Sequence, residues 1–134
     1  MTRLKADFYC KNALEMAPLL IGKLLCRKIG KETIKLRITE TESYYGIEDT
    51  ASHAHKGKTQ RNEPMFEKGG TTYIYLCYGV HNLLNIVSGE KDNPEAVLLK
   101  KNMNQISTKC SKKKLRSNRP RWTLNSFCIR WCRR

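Results

Sequence analysis

The tightest constraint on how this chain folds is an alternation that runs into acid. Ile34, Leu36 and Ile38 alternate with Lys35, Arg37 and Thr39, the period-2 pattern of a strand with one buried face. If the parity continues, Glu40 and Glu42 fall on the apolar face. A carboxylate at the end of a buried face is costly unless it is hydrogen-bonded or has a task. Gly46 breaks the strand, and Ile47–His53 is expected as a loop or short helix that folds back. Glu42, Tyr44 and His53 can then converge in one pocket: an acid, an aromatic and an imidazole. The ordinary alternative is a strand-end glutamate facing solvent, and Glu40 competes with Glu42 because both share the face.

The flanking pattern supplies the rest of a small domain. Leu14, Ala17, Leu20, Ile21 and Leu24 lie near helical spacing within Asn12–Leu25. Pro18 is expected to break that helix or to open a second one. Lys23–Lys28 and Glu32–Glu42 form an antiparallel hairpin about a turn containing Gly30. His55–Glu67 is polar, with Lys56, Lys58 and Arg61 beside Gly57 and Pro64. It is a solvated loop or, because cations beside flexible backbone suit phosphates, a phosphate-contacting loop. Thr71–Ile86 is a second hairpin, rich in β-branched and aromatic residues, bent near Tyr78–Gly79. Its parity puts Tyr73, Tyr75 and Cys77 on one face. Ala96–Leu99 is a last short strand.

Charge divides the chain unevenly. The 134 residues carry a formal net charge of +14. All 12 acids precede Ala96, whereas residues 96–134 hold 12 Lys and Arg. Such an excess points to nucleic acid or another polyanion, but it says little about the folded body. Cys10, Cys26, Cys77, Cys110, Cys128 and Cys132 include no C-x-x-C pair, so a zinc site is not indicated and reduced thiols are expected. There is no secretory apolar region and no run of about 18 apolar residues. A cytoplasmic, bacterial-type protein with no membrane partner is the expectation.

The blocks ETESYYG, EDTASH, RNEPMF and YIYLCYGVHNLLNI occur in this order between about Arg3 and Leu99. Together they resemble the alkylpurine (3-methyladenine) DNA glycosylase family, alkyladenine type. The resemblance implies an α+β single domain with an antiparallel, partly barrel-like sheet and flanking helices. It implies a monofunctional glycosylase of base-excision repair that flips an alkylated or deaminated purine from double-stranded DNA and hydrolyses its N-glycosidic bond. No metal or organic cofactor is implied, and the protein is expected to be a monomer, nucleoid-associated through DNA.

Residue by residue, the resemblance makes Glu42 the catalytic base. An oxocarbenium-like sugar needs an activated water and a nearby negative charge, and one carboxylate can supply both. Tyr44 and Tyr75 match stacking aromatics for the flipped base, and His53 matches the residue closing the other side. Asn85 matches the residue that rejects guanine by crowding its exocyclic amine. Tyr78 matches an aromatic wedge that intercalates where the base has left. Arg61 and Lys100 are candidates for the DNA backbone; Lys100 stands where the family has an arginine, keeping the charge but not the bidentate fork.

The resemblance read from these blocks stops at about Leu99–Lys100. Residues 1–99 are therefore expected as the N-terminal part of the family domain. Residues 100–134 are expected as a disordered basic tail outside it, a frameshifted substitute for the missing half, with activity impaired by the truncation. A catalytically inactive nucleic-acid-binding remnant is the alternative, and an RNA-binding protein with a basic tail is a third reading.

Overall fold

A computed structural model of the chain describes residues 2–100 and Phe127–Trp131. It is α+β, built as two four-stranded antiparallel sheets around one short α-helix. The strands are β1 (Thr2–Arg3), β2 (Leu24–Ile29), β3 (Glu32–Arg37), β4 (Glu40–Tyr44), β5 (Thr72–Cys77), β6 (His81–Ser88), β7 (Glu95–Lys100) and β8 (Phe127–Trp131). The helix α1 is Ala13–Leu20, and 3-10 turns lie at Ala6–Cys10 and Glu63–Phe66. One sheet has the order β1-β8-β2-β3, the other β4-β7-β6-β5.

Helix α1 forms where its sequence supplies both a cap and an apolar face. Asn12 caps it, its side-chain oxygen accepting from the Glu15 N–H at 2.9 Å, which satisfies one of the orphan donors of the first turn. Glu95 reaches in from β7 and accepts from the Ala13 N–H at 2.6 Å, placing a buried carboxylate at the positive end of the helix. Ala13, Met16, Ala17 and Leu20 form the buried stripe. Pro18 sits inside the helix without ending it. In so short a helix it removes only the bond its N–H would have made to the Leu14 carbonyl. Gly22, at φ +81°, makes the exit.

The α1 stripe packs on one face of the second sheet. Met16 and Leu20 are fully buried beside Ile38, Ile86 and Val97, with Leu84 and Leu99 at the margin. Burying such side chains contributes roughly 1.5–3 kcal/mol each. The opposite face carries a smaller cluster of Ala54, Met65, Tyr73, Val87 and Ala96, covered by residues 51–66. The sheet therefore has a helix on one side and a loop on part of the other.

Two expectations are corrected. The sheet is not single: Glu32–Glu42 is two strands in different sheets, separated at Ile38–Thr39. Ile38 donates its N–H to the Lys23 carbonyl at 2.9 Å and accepts from the Gly22 N–H at 2.8 Å. These bonds hold it to the exit of α1, and the chain then crosses to the other sheet. The break also shifts the parity. Ile38 is buried in the α1 cluster, and Thr41 donates its hydroxyl to the Ala17 carbonyl at 3.0 Å, so an even and an odd position now face the helix. A one-residue slip sends every later side chain to the other face. Glu40 and Glu42 accordingly lie on the face away from α1, and both are exposed.

Most of the expected tail lies outside the described residues. Its described segment, β8, is a strand rather than a disordered stretch. It pairs with β2 in the register Leu24↔Arg130 to Arg27↔Phe127 and with β1 through Thr2↔Trp131. Lys100 is the last residue of β7, opposite Glu40.

Candidate active site

The register of the second sheet aligns the candidate residues across four strands. Tyr73 pairs with Asn85, Asn85 with Leu98, and Leu98 with Glu42. Directly opposed residues share a face, so this row runs across the face away from α1. Tyr44 and Tyr75 flank it, each two residues along its own strand from Glu42 and Tyr73 and therefore on the same face. The 51–66 loop covers the face at one end and leaves an open cleft lined by Tyr44, Ala51, His53, Met65, Tyr73, Tyr75 and Asn85. Its enclosed space is only about 20 Å³, room for little more than one water, and the rest of the cleft is open to solvent.

The walls are aromatic. The His53 ring meets Tyr75 with centroids 4.4 Å apart at 68° and Tyr73 at 6.0 Å and 84°. Tyr73 and Tyr75 lie 5.6 Å apart, tilted by 33°. Such edge-on and offset arrangements suit the ring quadrupoles. His53 is held by its Nδ1 against the Tyr73 hydroxyl at 2.9 Å. Asn85, fully buried, donates to the Tyr73 carbonyl at 3.2 Å.

The loop wall is fixed by a side chain that does not line the cleft. Asn62, only 2% exposed, donates its amide hydrogens to the carbonyls of His53 and Gly57, each at 2.9 Å, while its oxygen accepts from the Thr59 N–H at 2.7 Å. The polar loop is thereby tied back on itself. Among the described residues no cluster of three His, Cys, Asp or Glu is placed to hold a metal.

Glu42 stands beside the cleft rather than in its lining. Its Oε1 accepts from the Tyr44 hydroxyl at 3.0 Å, and its Oε2 pairs with Lys100 Nζ at 2.6 Å. The hydrogen bond from Lys100, then that from Tyr44, holds the carboxyl below its usual range, with burial opposing. Burial and the adjacent carboxylate push the Tyr44 phenol well above its usual value, so it remains a donor to Glu42. Burial, helped by the Arg61 charge, lowers His53, which is therefore neutral at pH 7. The result is an ionised carboxylate, a donor phenol and an uncharged imidazole around one aromatic slot.

The description methylpurine-DNA glycosylase belongs to the family model that matches residues 7–126. The chain belongs to this family. The match runs past Leu99, where the resemblance read from motif blocks stops. Relatives assigned by name as 3-methyladenine DNA glycosylases include one from Borreliella burgdorferi, 44% identical over 114 residues, covering 84% of this chain and 61% of the relative. One from Nitrosococcus oceani is 50% identical over 93 residues, covering 69% and 44%. One from Chlorobium phaeovibrioides is 48% identical over 101 residues, covering 75% and 52%. The chain thus spans between 44% and 61% of the length of these curated relatives.

For a methylpurine-DNA glycosylase family member, the candidates are disposed as follows. Tyr44, His53, Tyr75 and Asn85 line one cleft, and Glu42 joins it through Tyr44. Tyr78 is apart, at the β5–β6 bend, 93% exposed and at φ +49°. Gly79 follows at φ +70°, and the Val80 N–H donates to the Cys77 carbonyl at 3.1 Å. Two positive φ angles are what a type I′ turn requires, and a tyrosine in that region is strained. Lys100 lies on Glu42. Arg61, considered for the backbone, is an exposed residue whose guanidinium acts on Tyr73 and His53. Tyr73, Asn62 and Met65 were not candidates. Met65 and Asn62 fall within the RNEPMF block, and Tyr73 shares the Tyr75 face, so the motif and the parity were their only signals.

Proposed function

We propose that this chain carries the base-binding and catalytic part of a monofunctional DNA glycosylase, which excises alkylated or deaminated purines from double-stranded DNA. The observation that carries this reading is the aromatic slot with an ionised Glu42 at its edge, on a chain of the methylpurine-DNA glycosylase family. A purine inside a duplex must leave the stack to be reached. A base taken between Tyr44 and Tyr75 on one side and His53 on the other requires the His53 and Tyr75 rings, 4.4 Å apart between centroids, to separate, and electron-poor alkylated rings are favoured on aromatic faces. Asn85 crowds the edge that bears the guanine amine.

Glu42 takes a proton from the attacking water as its oxygen bonds to the sugar C1′. The C1′–N bond breaks, its electron pair leaves with the base, and the carboxylate steadies the positive charge on the sugar. Lys100 keeps Glu42 ionised through their 2.6 Å ion pair, and its charge suits the adjoining phosphate. Arg61, exposed at the rim, retains donors for another. The test is a duplex carrying one hypoxanthine or one 3-methyladenine. An abasic site, revealed by alkaline strand cleavage, is the expected product, and intact strands with both lesions would end this reading.

Tyr78 is the wedge in this reading. It is unsupported by neighbours, and its strained backbone is of a kind that costs about 1–3 kcal/mol and clusters at working sites. Tyr78→Ala is expected to weaken binding to a duplex lesion by about tenfold or more, since stacking on a base is worth roughly 1–3 kcal/mol. Excision from single strands should change little, because no gap needs filling. Equal losses on both substrates, measured by titration and single-turnover rates, would contradict the wedge.

A further inference from the structure

The chain leaves β4 at Tyr44 and turns at Gly46, where φ is +65°. Asp49, half-buried in the loop that follows, bonds back in both directions. Its Oδ2 accepts the Tyr45 N–H at 3.1 Å and its Oδ1 the Ala51 N–H at 2.9 Å. Its backbone carbonyl accepts the Ser52 N–H at 2.9 Å. His55 Nδ1 lies 2.8 Å from the Ile47 carbonyl. A carbonyl only accepts, so the ring donates and closes the same loop from its far end. An acid in a surface loop is ordinarily left to water. This one gives each oxygen to the backbone, and hydrogen bonds to an ionised acceptor are stronger than neutral ones.

The two bonds join the two sides of the cleft. Tyr45 follows Tyr44, whose hydroxyl donates to Glu42. Ala51 lines the cleft, and His53 forms its loop wall. Ser52 and Ala54, on either side of His53, are buried, so a shift of Ala51 carries the imidazole with it and is not taken up by slack. We propose that Asp49 is a positioning residue that staples the strand carrying Glu42 and Tyr44 to the loop carrying His53, holding the carboxylate and the far wall of the cleft at a fixed separation. The effect on base release rests on the glycosylase reading; the staple does not.

Asp49→Asn is nearly isosteric but has one acceptor oxygen in place of two, so one of the two bonds must fail. Amide exchange and ring-proton NMR of the full chain read this without any activity. In wild type the Tyr45 and Ala51 amides should exchange at least about tenfold more slowly than unstructured backbone, and in Asp49→Asn at least one should lose that protection. The His53 ring protons, shifted by the Tyr75 ring at 4.4 Å between centroids, should move toward the values of a free imidazole. Unprotected amides in wild type, or unchanged protection in the variant, would overturn the staple; the wild-type measurement decides even where the variant folds poorly. On a hypoxanthine duplex in single turnover, the saturating rate should fall about ten- to a hundredfold, the scale of a small misplacement of reacting groups. The half-saturating concentration should stay within about twofold, since uniform binding is not what is lost. Lost protection with unmoved ring protons, or with an unchanged saturating rate in an active chain, would overturn the positioning. A wild-type chain that releases no base fails the glycosylase reading alone, and the exchange and ring shifts still decide the staple.

Discussion

Glu42→Gln is expected to lower base release by about 10²–10⁴-fold, the usual contribution of a positioned proton acceptor. That corresponds to roughly 3–5.5 kcal/mol of transition-state stabilisation. A glutamine can still accept from Tyr44, now at 3.0 Å from the carboxylate, so the wall of the cleft should stay in place and lesion binding should persist. What is lost is the capacity to hold a proton and the negative charge beside the sugar. Glu40→Gln is the matched control, two residues away on the same face. Single-turnover release with a parallel binding titration separates the two; near-normal turnover by Glu42→Gln, or loss confined to Glu40→Gln, sinks the assignment. The pH dependence has a definite sign. Lys100 and Tyr44 hold Glu42 below its ordinary 4.5, so the base stays ionised as pH falls from neutrality and the acid limb of kcat/KM belongs below that value. The same depression stabilises the fold only above the unfolded carboxylate's range and is lost as pH drops through the folded one. The pair is about half exposed, and its share of stability is small.

Gly69→Ala should be the most damaging single change to the fold among its glycines. A Cβ at Gly69 would be driven into the Tyr9 carbonyl oxygen and stand 2.8 Å from that of Gly89. Neither is a side chain that could rotate away. Three segments meet here: the Gly69 N–H donates to Gly89 at 3.0 Å and the Gly89 N–H to the Tyr9 carbonyl at 2.9 Å. Separating them loosens the 3-10 turn at Ala6–Cys10 from the start of β5 and the end of β6. Overpacking costs about 1–3 kcal/mol, occasionally more, and a backbone clash belongs at the upper end. A loss of ~3 kcal/mol from a net stability of about 5–15 kcal/mol is severe, and it lowers Tm by more than about 10 °C in a domain of this size. Gly46 is the contrast: φ is +65° there, but nothing lies within 4 Å of a Cβ, so alanine meets only the backbone cost of about 1–2 kcal/mol. Urea or thermal unfolding that finds Gly69→Ala no worse than Gly46→Ala would contradict this account.

Local pattern carried much of the architecture. The β2–β3 and β5–β6 hairpins, the bend at Tyr78–Gly79 and the last strand follow from alternation and turn residues, because those signals are written within a few positions. The helix was legible from its spacing, but of the five residues expected on its apolar stripe only Ala17 and Leu20 are buried in it: Leu14 and Ile21 are exposed and Leu24 begins β2; Pro18 proved harmless in so short an element. The division of Glu32–Glu42 was not legible. Ile38 and Glu40 continue the alternation in the sequence, while the bonds that end β3 come from Gly22 and Lys23, outside the strand. The face of Glu42 was consequently inferred wrongly even though Tyr44, His53, Tyr75 and Asn85 were brought together. The partners that tune the site were beyond any local signal. Lys100 reaches Glu42, and Tyr73 reaches His53, only through sheet register and loop closure.

Asn62 makes the cleft sensitive to the exchange of a single nitrogen. All three of its amide positions that bond here are committed, two hydrogens outward and one oxygen inward. Hydrolysis of that amide to a carboxylate changes almost nothing in size, yet it would set an acceptor against the carbonyls of His53 and Gly57 where donors now stand. The sheet and α1 would be untouched, so spectroscopic measures of folding would register little. The imidazole wall, which hangs from the His53 carbonyl, would drift. That one exchange would thus be felt at the cleft in a protein that still looks intact.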